Sequence, residues 1–256
     1  MLALQISYSE YQFFVSRRRF IADEVSGSRA ALLGEHAAHL VRVLRASLGQ
    51  QFDIATEGRV RSGRIIKLAD DRVDFELGEE IPVATTAAVT LWLAVFKFER
   101  MEWAIEKATE LGVAHIVPVL AARTDAHLAA AALKRCERWR RIALQAAEQS
   151  RRAAPPEISD PLRLQRQSLL SQPEFTCVVL AESEQRLMLK DALQHFQDGR
   201  SAPGIHLAVG PEGGWTVAEL ALFAEAGWVS ASLGQNILRA ETAAIAALAI
   251  VSAYWL

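Results

Sequence analysis

Leu207-Ala208-Val209-Gly210-Pro211-Glu212-Gly213-Gly214-Trp215 is a short apolar run broken by a glycine-rich turn, and its reading decides the fold. A second turn of the same kind follows at Ser232-Leu233-Gly234, leading into Ile237-Leu238-Arg239-Ala240-Glu241-Thr242-Ala243. Each turn stands at the exit of an apolar strand and opens into a helix, so backbone amides can approach a flat ligand closely. Thr216 with Glu219 three residues on predicts a capping box, and Gly227 predicts the end of that helix. The Gly-Pro-Glu-Gly-Gly loop then lies at a helix N-terminus with free amides. Glycines between strand and helix also serve simply to make a tight turn. The second glycine turn at a suitable distance favours a ligand loop.

Outward from these loops, strand and helix patterns alternate. Val89 to Phe96 reads as a continuous apolar strand and Val113 to Leu120 as another. Between them Arg100 to Leu111 is helical, with Met101, Ala104, Ile105, Ala108 and Leu111 on one face and Gly112 as the stop. Thr176 to Ala181, Ile205 to Val209 and Trp228 to Leu233 are further buried strands, so the region predicts an α/β fold with a largely parallel sheet. Upstream of Ile81-Pro82-Val83-Ala84-Thr85-Thr86-Ala87 the pattern differs. Gln51 to Ala55, Arg59 to Leu68 and Arg72 to Leu77 are short alternating segments parted by Glu57-Gly58 and Asp70-Asp71, which predicts a small antiparallel sheet or barrel. The expected domains are therefore residues 1–84 and 85–256.

The 256 residues are 51% hydrophobic and 23% charged, the composition of a globular chain with ample core material. A net charge of -2 excludes a globally basic nucleic-acid binder and confines any RNA contact to local patches. Cys136 and Cys177 are too few for a disulfide framework or metal cage and favour a reducing compartment. The histidines, among them His36, His39, His115 and His127, show no metal-binding spacing, so no metal is expected. No Gly-x-Gly-x-x-Gly follows a first strand and no Gly-x-x-x-x-Gly-Lys-Ser/Thr is present, which argues against dinucleotide and triphosphate sites. Met1 to Phe14 lacks the basic start and apolar run of a signal peptide. The apolar stretch Ala243 to Leu256 is shorter than the ~20 residues that span a bilayer. Being apolar nearly all round, it is expected to be buried on every face, in a core or a subunit interface. No membrane association is expected, and the location expected is cytoplasmic.

The two glycine turns together resemble the knotted, SPOUT-class S-adenosylmethionine-dependent RNA methyltransferases. Within that class they resemble the RsmE family, which methylates N3 of a uridine in bacterial 16S rRNA. The resemblance extends to Met101-Glu102-Trp103-Ala104-Ile105-Glu106-Lys107-Ala108-Thr109-Glu110-Leu111-Gly112-Val113, to Arg138-Trp139, to Ala146-Ala147-Glu148-Gln149-Ser150 and to His39-Leu40-Val41-Arg42-Val43-Leu44-Arg45. It implies an N-terminal PUA-like β-barrel that holds RNA (1–84) and a C-terminal SPOUT domain (85–256) with a deep trefoil knot over roughly 205–256. It also implies a homodimer acting on the small ribosomal subunit, with S-adenosyl-L-methionine as cofactor. A knot breaks the usual expectation of unthreaded connections and is implied by the family alone.

On that resemblance, the cofactor is expected against Leu180-Ala181-Glu182, Gly210 to Gly214 (Gly210, Pro211, Glu212, Gly213, Gly214) and Leu233, Gly234, Ile237 and Leu238, with Arg239 and Thr242 beside it. A bulky side chain at Gly210 or Gly213 is expected to intrude on the ligand or to forbid a positive φ. The N3 proton of uridine leaves only well above neutral pH, so a site for this reaction must stabilise the uracil anion, align it with the methyl carbon, or both. Arg239 is the candidate for stabilising the anion, against the alternative of a structural pair with Glu241 or a helix-terminal carbonyl. Glu241 and Glu148 are the candidate bases, and the sequence places neither. Glu148 also has the alternatives of capping its helix or pairing with Arg151 or Arg152.

Residues 1–84 are nearly balanced in charge, but Arg17, Arg18 and Arg19, together with Arg42 and Arg45, form local clusters able to follow a phosphate backbone. A second basic cluster runs from Lys134 to Arg152 and includes Arg151 and Arg152. A solvated helix face is the plainer account of such runs taken alone. Three departures from the family pattern stand out: Phe98-Glu99 after Lys97, Arg151-Arg152 where Gly-Arg is expected, and Gln235-Asn236 where a basic residue is frequent. Two other functions remain open, a knotted methyltransferase acting on ribose 2'-OH or a tRNA base, and a noncatalytic RNA-binding module.

Overall fold

The computed structural model describes residues 18–83, 88–169, 175–197 and 204–255. Arg17, the Met1 to Phe14 stretch, Ala84 to Ala87 and Leu256 lie outside them. The chain divides into two compact units. One comprises residues 1–84 with 151–154, the other 85–150 with 155–256.

The first unit is a six-stranded sheet in the order β1-β4-β5-β6-β3-β2. Its strands are β1 (Arg19–Ile21), β2 (Glu24–Ser26), β3 (Arg29–Leu33), β4 (Gln51–Thr56), β5 (Arg59–Leu68) and β6 (Arg72–Ile81). All pairs are antiparallel except β1 with β4. Alternation along β5 and β6 sends Val60, Ile65, Val73, Phe75 and Leu77 inward, and Phe52 packs edge-on against Phe20 and Phe75. A short helix, α1 (Gly34–Ala38), continues into a π-helical turn over His39–Val43 that buries Leu40. His39, one of the histidines without metal-binding spacing, opens that π turn. Residues 151–154 belong to this unit, and within it the Arg19 guanidinium donates to the Arg151 carbonyl.

The second unit is a parallel sheet in the order β10-β8-β7-β12-β11-β13, with β9 also paired to β8. Its strands are β7 (Ala88–Ala94), β8 (His115–Leu120), β9 (Glu157–Ile158), β10 (Leu162–Arg163), β11 (Thr176–Leu180), β12 (Gly204–Val209) and β13 (Val229–Ala231). Every described pair in it is parallel. Strands buried on both faces read as unbroken apolar runs, which is why Val89 to Phe96 showed no alternation. The side chains nevertheless part by turns. Leu91 and Leu93 enter one core with α2 (Phe98–Glu110), α3 (Ala126–Gln149), α5 (Leu189–Gln197) and α7 (Ala240–Trp255). Trp92 and Ala94 enter the opposite core beside α4 (Arg166–Leu169) and α6 (Val217–Glu225). The fold is thus α/β with helices on both faces.

Within this chain α7 is not buried on every face: Ala240, Ala244, Ala247, Leu248 and Val251 are buried, whereas Thr242, Ala249 and Ala253 are exposed. Its apolar character all round exceeds what its own core requires. Among the described residues no helix is long and apolar enough to cross a membrane.

Candidate active site

β12, β11 and β13 are neighbours in the parallel sheet, so their carboxyl ends open side by side. Ligands of open α/β sheets bind at that edge. Three loops converge there. Leu180 to Ser183 leaves β11, Gly210 to Trp215 leaves β12, and Ser232 to Leu238 leaves β13; together they enclose a cavity of about 300 Å³. Ala181 donates to the Ala231 carbonyl (3.1 Å), and Leu187 and Leu189 exchange backbone bonds with Ser232 (2.9 and 2.8 Å), which ties the first loop to the third.

The glycine-rich loop is fixed from its own helix. Thr216 caps α6: its hydroxyl accepts from the Glu219 amide (3.2 Å), and the Glu219 carboxylate takes both the Thr216 amide and the Thr216 hydroxyl (2.8 Å each). The remaining Glu219 oxygen accepts from the Ala122 amide (2.7 Å), so this buried carboxylate also fastens the loop to the segment after β8. Arg123 in that segment donates to the carbonyls of Gly213 (2.5 Å) and Trp215 (3.5 Å).

The glycines act differently from the expectation. Gly214 is the residue at positive φ (+69°), whereas Gly210 and Gly213 are not. A Cβ on Gly210 would stand 3.2 Å from the Trp215 indole, and one on Gly213 3.3 Å from Arg123 Cδ. The first two glycines therefore serve close approach and the third the turn itself.

Ten of the expected cofactor residues line the cavity: Leu180, Ala181 and Glu182 on one side, Gly210, Pro211 and Gly214 on the second, Leu233, Gly234, Ile237 and Leu238 on the third. Glu212, Gly213, Arg239 and Thr242 do not. Glu212 turns outward to Arg100, whose Nη1 donates to its Oε1 (2.5 Å). Arg100 Nε also lies 3.7 Å from Glu241 Oε1, so one guanidinium bridges the glycine-rich loop and the first turn of α7. Glu241 is 4% exposed, and its Oε2 has no hydrogen-bond partner among the described residues. Arg239 is exposed at the entrance of α7, its carbonyl accepting from Ala243 (2.8 Å). Glu148 is half-buried near the end of α3 and lies outside the cavity lining.

The basic candidates divide in the same way. Arg19 lies 3.7 Å from Asp53 as well as donating to the Arg151 carbonyl, and Arg42 donates to Asp70 (2.8 Å). Arg18 and Arg45 are exposed. Burial pulls the Arg152 guanidinium below its usual pKa. Arg151 follows the end of α3 at φ +58°, the left-handed position at which a helix usually places glycine. The glycine expected by family pattern thus has a backbone reason.

Sequence reading missed Arg100 and Arg123. Arg100 had one local signal, a cation in the first turn of a helix, where the dipole disfavours it. Arg123 had none, because its partners lie about ninety residues away in sequence.

A three-loop cleft at the carboxyl edge of a parallel sheet, with glycine cradles and apolar walls, defines a nucleoside-type ligand site on an α/β scaffold. Comparison gives the class directly, since the RNA methyltransferase domain family matches residues 84–252. The ribosomal RNA small subunit methyltransferase E of Bacillus subtilis (strain 168) is 32% identical over 231 residues, covering 87% of this chain and 89% of the relative. The enzyme of the same name from Synechocystis is 31% identical and covers 99% and 83%. The crystal structure of ribosomal RNA small subunit methyltransferase E from Neisseria gonorrhoeae bound to S-adenosyl methionine superposes with a TM-score of 0.77 at 29% identity, covering 94% of this chain and 98% of that one. The chain belongs to the ribosomal RNA small subunit methyltransferase E family.

Proposed function

We propose that this protein transfers a methyl group from S-adenosylmethionine to N3 of a uridine in 16S rRNA of the small ribosomal subunit. The observation that carries the reading is the cavity at the ends of β11, β12 and β13, in a chain whose relatives are methyltransferases of small-subunit rRNA. The site fits the cofactor on its own terms. A cavity of about 300 Å³ suits a nucleoside-sized ligand, and Gly214 and Gly234 in its lining leave space that a Cβ would take, with nothing nearer to it than 3.7 and 3.9 Å. Leu180, Val209, Leu233 and Leu238 supply apolar walls for an adenine, and the loop backbones supply its hydrogen bonds. When bound, the cofactor supplies an electrophilic methyl group on a sulfonium.

The chain's own residues then have the task of orienting the uracil and holding its anion. Arg239 is the residue assigned to anion stabilisation: exposed at the mouth of α7, it stands where a base from solvent can reach it. Glu241, in the first turn of the helix that the third cavity loop enters, is one candidate base, although like Glu148 it lies outside the cavity lining. Glu148 keeps its place as the alternative base from the family motif. Glu212, Gly213 and Thr242 lie outside the cavity lining.

Residues 1–84 are proposed as the PUA-like RNA-binding domain, residues 85–256 as the SPOUT domain with the trefoil knot over roughly 205–256. The RNA surface is proposed to include Arg17, Arg18, Arg19, Arg42, Arg45, Arg151 and Arg152, with the exposed Arg18 and Arg45 best disposed to reach phosphate. A homodimer is supported by the half-exposed apolar face of α7. The protein is proposed to work in the cytoplasm. The test of the site is Arg239→Ala: binding of S-adenosylmethionine stays nearly normal while turnover falls about 10²–10³-fold or more. Normal turnover would remove Arg239 from the mechanism.

A further inference from the structure

Two ionised side chains line the described cavity, Arg123 and Glu182. Every other lining residue is apolar, uncharged polar or glycine, so the cavity's charge is confined to these two groups. They stand at the same end of it. Arg123 Cδ lies 3.3 Å from the position a Gly213 Cβ would take, and Glu182 Oε2 lies 3.7 Å from the position of a Gly214 Cβ. The two side chains thus stand beside consecutive glycines of the same loop. Among the described residues no ion pair joins Arg123 to Glu182. Arg123 is instead anchored through Nη1 to the Gly213 and Trp215 carbonyls, which fixes the guanidinium plane and leaves further N–H groups to donate.

A fixed cation and a fixed anion at one end of an otherwise neutral cavity match a zwitterion: a carboxylate for the guanidinium and an ammonium for the carboxylate. We propose that Arg123 and Glu182 read the amino-acid end of S-adenosylmethionine, Arg123 taking its α-carboxylate and Glu182 its α-ammonium, with the adenosine lying toward Leu233 and Leu238. This rests on the cofactor reading above. It makes Arg123 a binding residue and a positioning residue at once, because the same guanidinium holds the glycine-rich loop by its carbonyls. The orientation of the cofactor follows from it, since the adenosine is then directed away from the Gly213-Gly214 end.

The test is calorimetric and needs no turnover. S-adenosylhomocysteine carries the amino-acid end; 5'-methylthioadenosine has the same adenosine and thioether without it. Glu182→Gln weakens S-adenosylhomocysteine by about 10- to 100-fold and leaves 5'-methylthioadenosine within roughly twofold of the wild type, and Arg123→Gln, which also frees the loop carbonyls, weakens S-adenosylhomocysteine at least about 10-fold more than it weakens 5'-methylthioadenosine. Arg123→Lys, which keeps the charge, recovers part of the loss. Retained binding of 5'-methylthioadenosine also shows that each variant has a folded cavity. Equal weakening of both ligands would mean that Arg123 acts only by holding the loop, and unchanged affinity for both would remove the two residues from recognition; either result overturns the proposal. A wild-type protein that binds neither ligand would overturn the cofactor reading itself, and the proposal with it, a result distinct from the other two.

Discussion

Glu219 joins two jobs in one buried carboxylate, and substitution separates them. One oxygen completes the Thr216 capping box, the other holds the Ala122 amide at 2.7 Å. Thr216→Ala removes the cap alone, which costs about 1 kcal/mol. Glu219→Ala keeps the bond from the residue-219 amide to the Thr216 hydroxyl but removes the carboxylate half of the box and the charge-assisted bond to Ala122, about 1–1.5 kcal/mol each, so the expected loss is roughly 2–3 kcal/mol. The double variant should be less stable than Glu219→Ala, but by less than Thr216→Ala costs alone, because the two substitutions share the bond between the Thr216 hydroxyl and the carboxylate. Urea unfolding of the four proteins, with slopes compared to exclude a changed denatured state, measures each difference. The prediction for binding is that Glu219→Ala weakens 5'-methylthioadenosine more than Thr216→Ala does, since only the former frees the loop from the segment after β8. Equal stability of Thr216→Ala and Glu219→Ala would refute the reasoning, for it would mean that the bond to Ala122 contributes nothing.

Two further outcomes follow from particular residues. His206 is mostly buried among Trp92, Phe175 and Trp228, its Nδ1 accepting from the Trp92 indole (3.3 Å); burial, with His115 nearby, pulls its pKa below the usual 6.5. The unfolded chain therefore takes up this proton first as pH falls, and stability is lost below about pH 6.5 at no more than about 1.4 kcal/mol per pH unit from this group. His206→Asn, which keeps an acceptor but takes no proton there, should flatten that part of a stability-against-pH curve; an unchanged slope would clear His206 of the effect. Arg151→Gly relieves a non-glycine residue at φ +58° and should raise stability by about 0.5–1 kcal/mol in urea unfolding, while a loss of stability would show that the side chain of Arg151 has a structural role.

Much of the fold was legible because local pattern and burial agree. β5 spans Arg59–Leu68, the segment its alternation marks, and the doubly buried β7, β8, β11 and β12 read as apolar runs between helices. The three-residue β1 and the two-residue β9 and β10 are too short to carry a period, and their pairing is set by neighbours distant in sequence. The loops that meet in the cavity were visible through their glycines and the Thr216 cap. The groups that hold those loops were not, since Arg100 reaches Glu212 and Arg123 reaches Gly213 across about a hundred residues, and no local preference encodes such contacts. Which faces of α7 its own chain covers was not legible for the same reason: composition tells how apolar a helix is, while the faces covered depend on what packs against it.

The central claim is tested most directly by incubating the protein with S-adenosylmethionine carrying a labelled methyl group. The acceptors are unmodified small ribosomal subunits, their naked rRNA and bulk tRNA, with the modified nucleoside identified by mass. Label recovered as N3-methyluridine in small-subunit rRNA is the predicted result. Label in tRNA or on a ribose 2'-OH would contradict the assigned substrate, and no label in any acceptor would contradict the assignment of a methyltransferase.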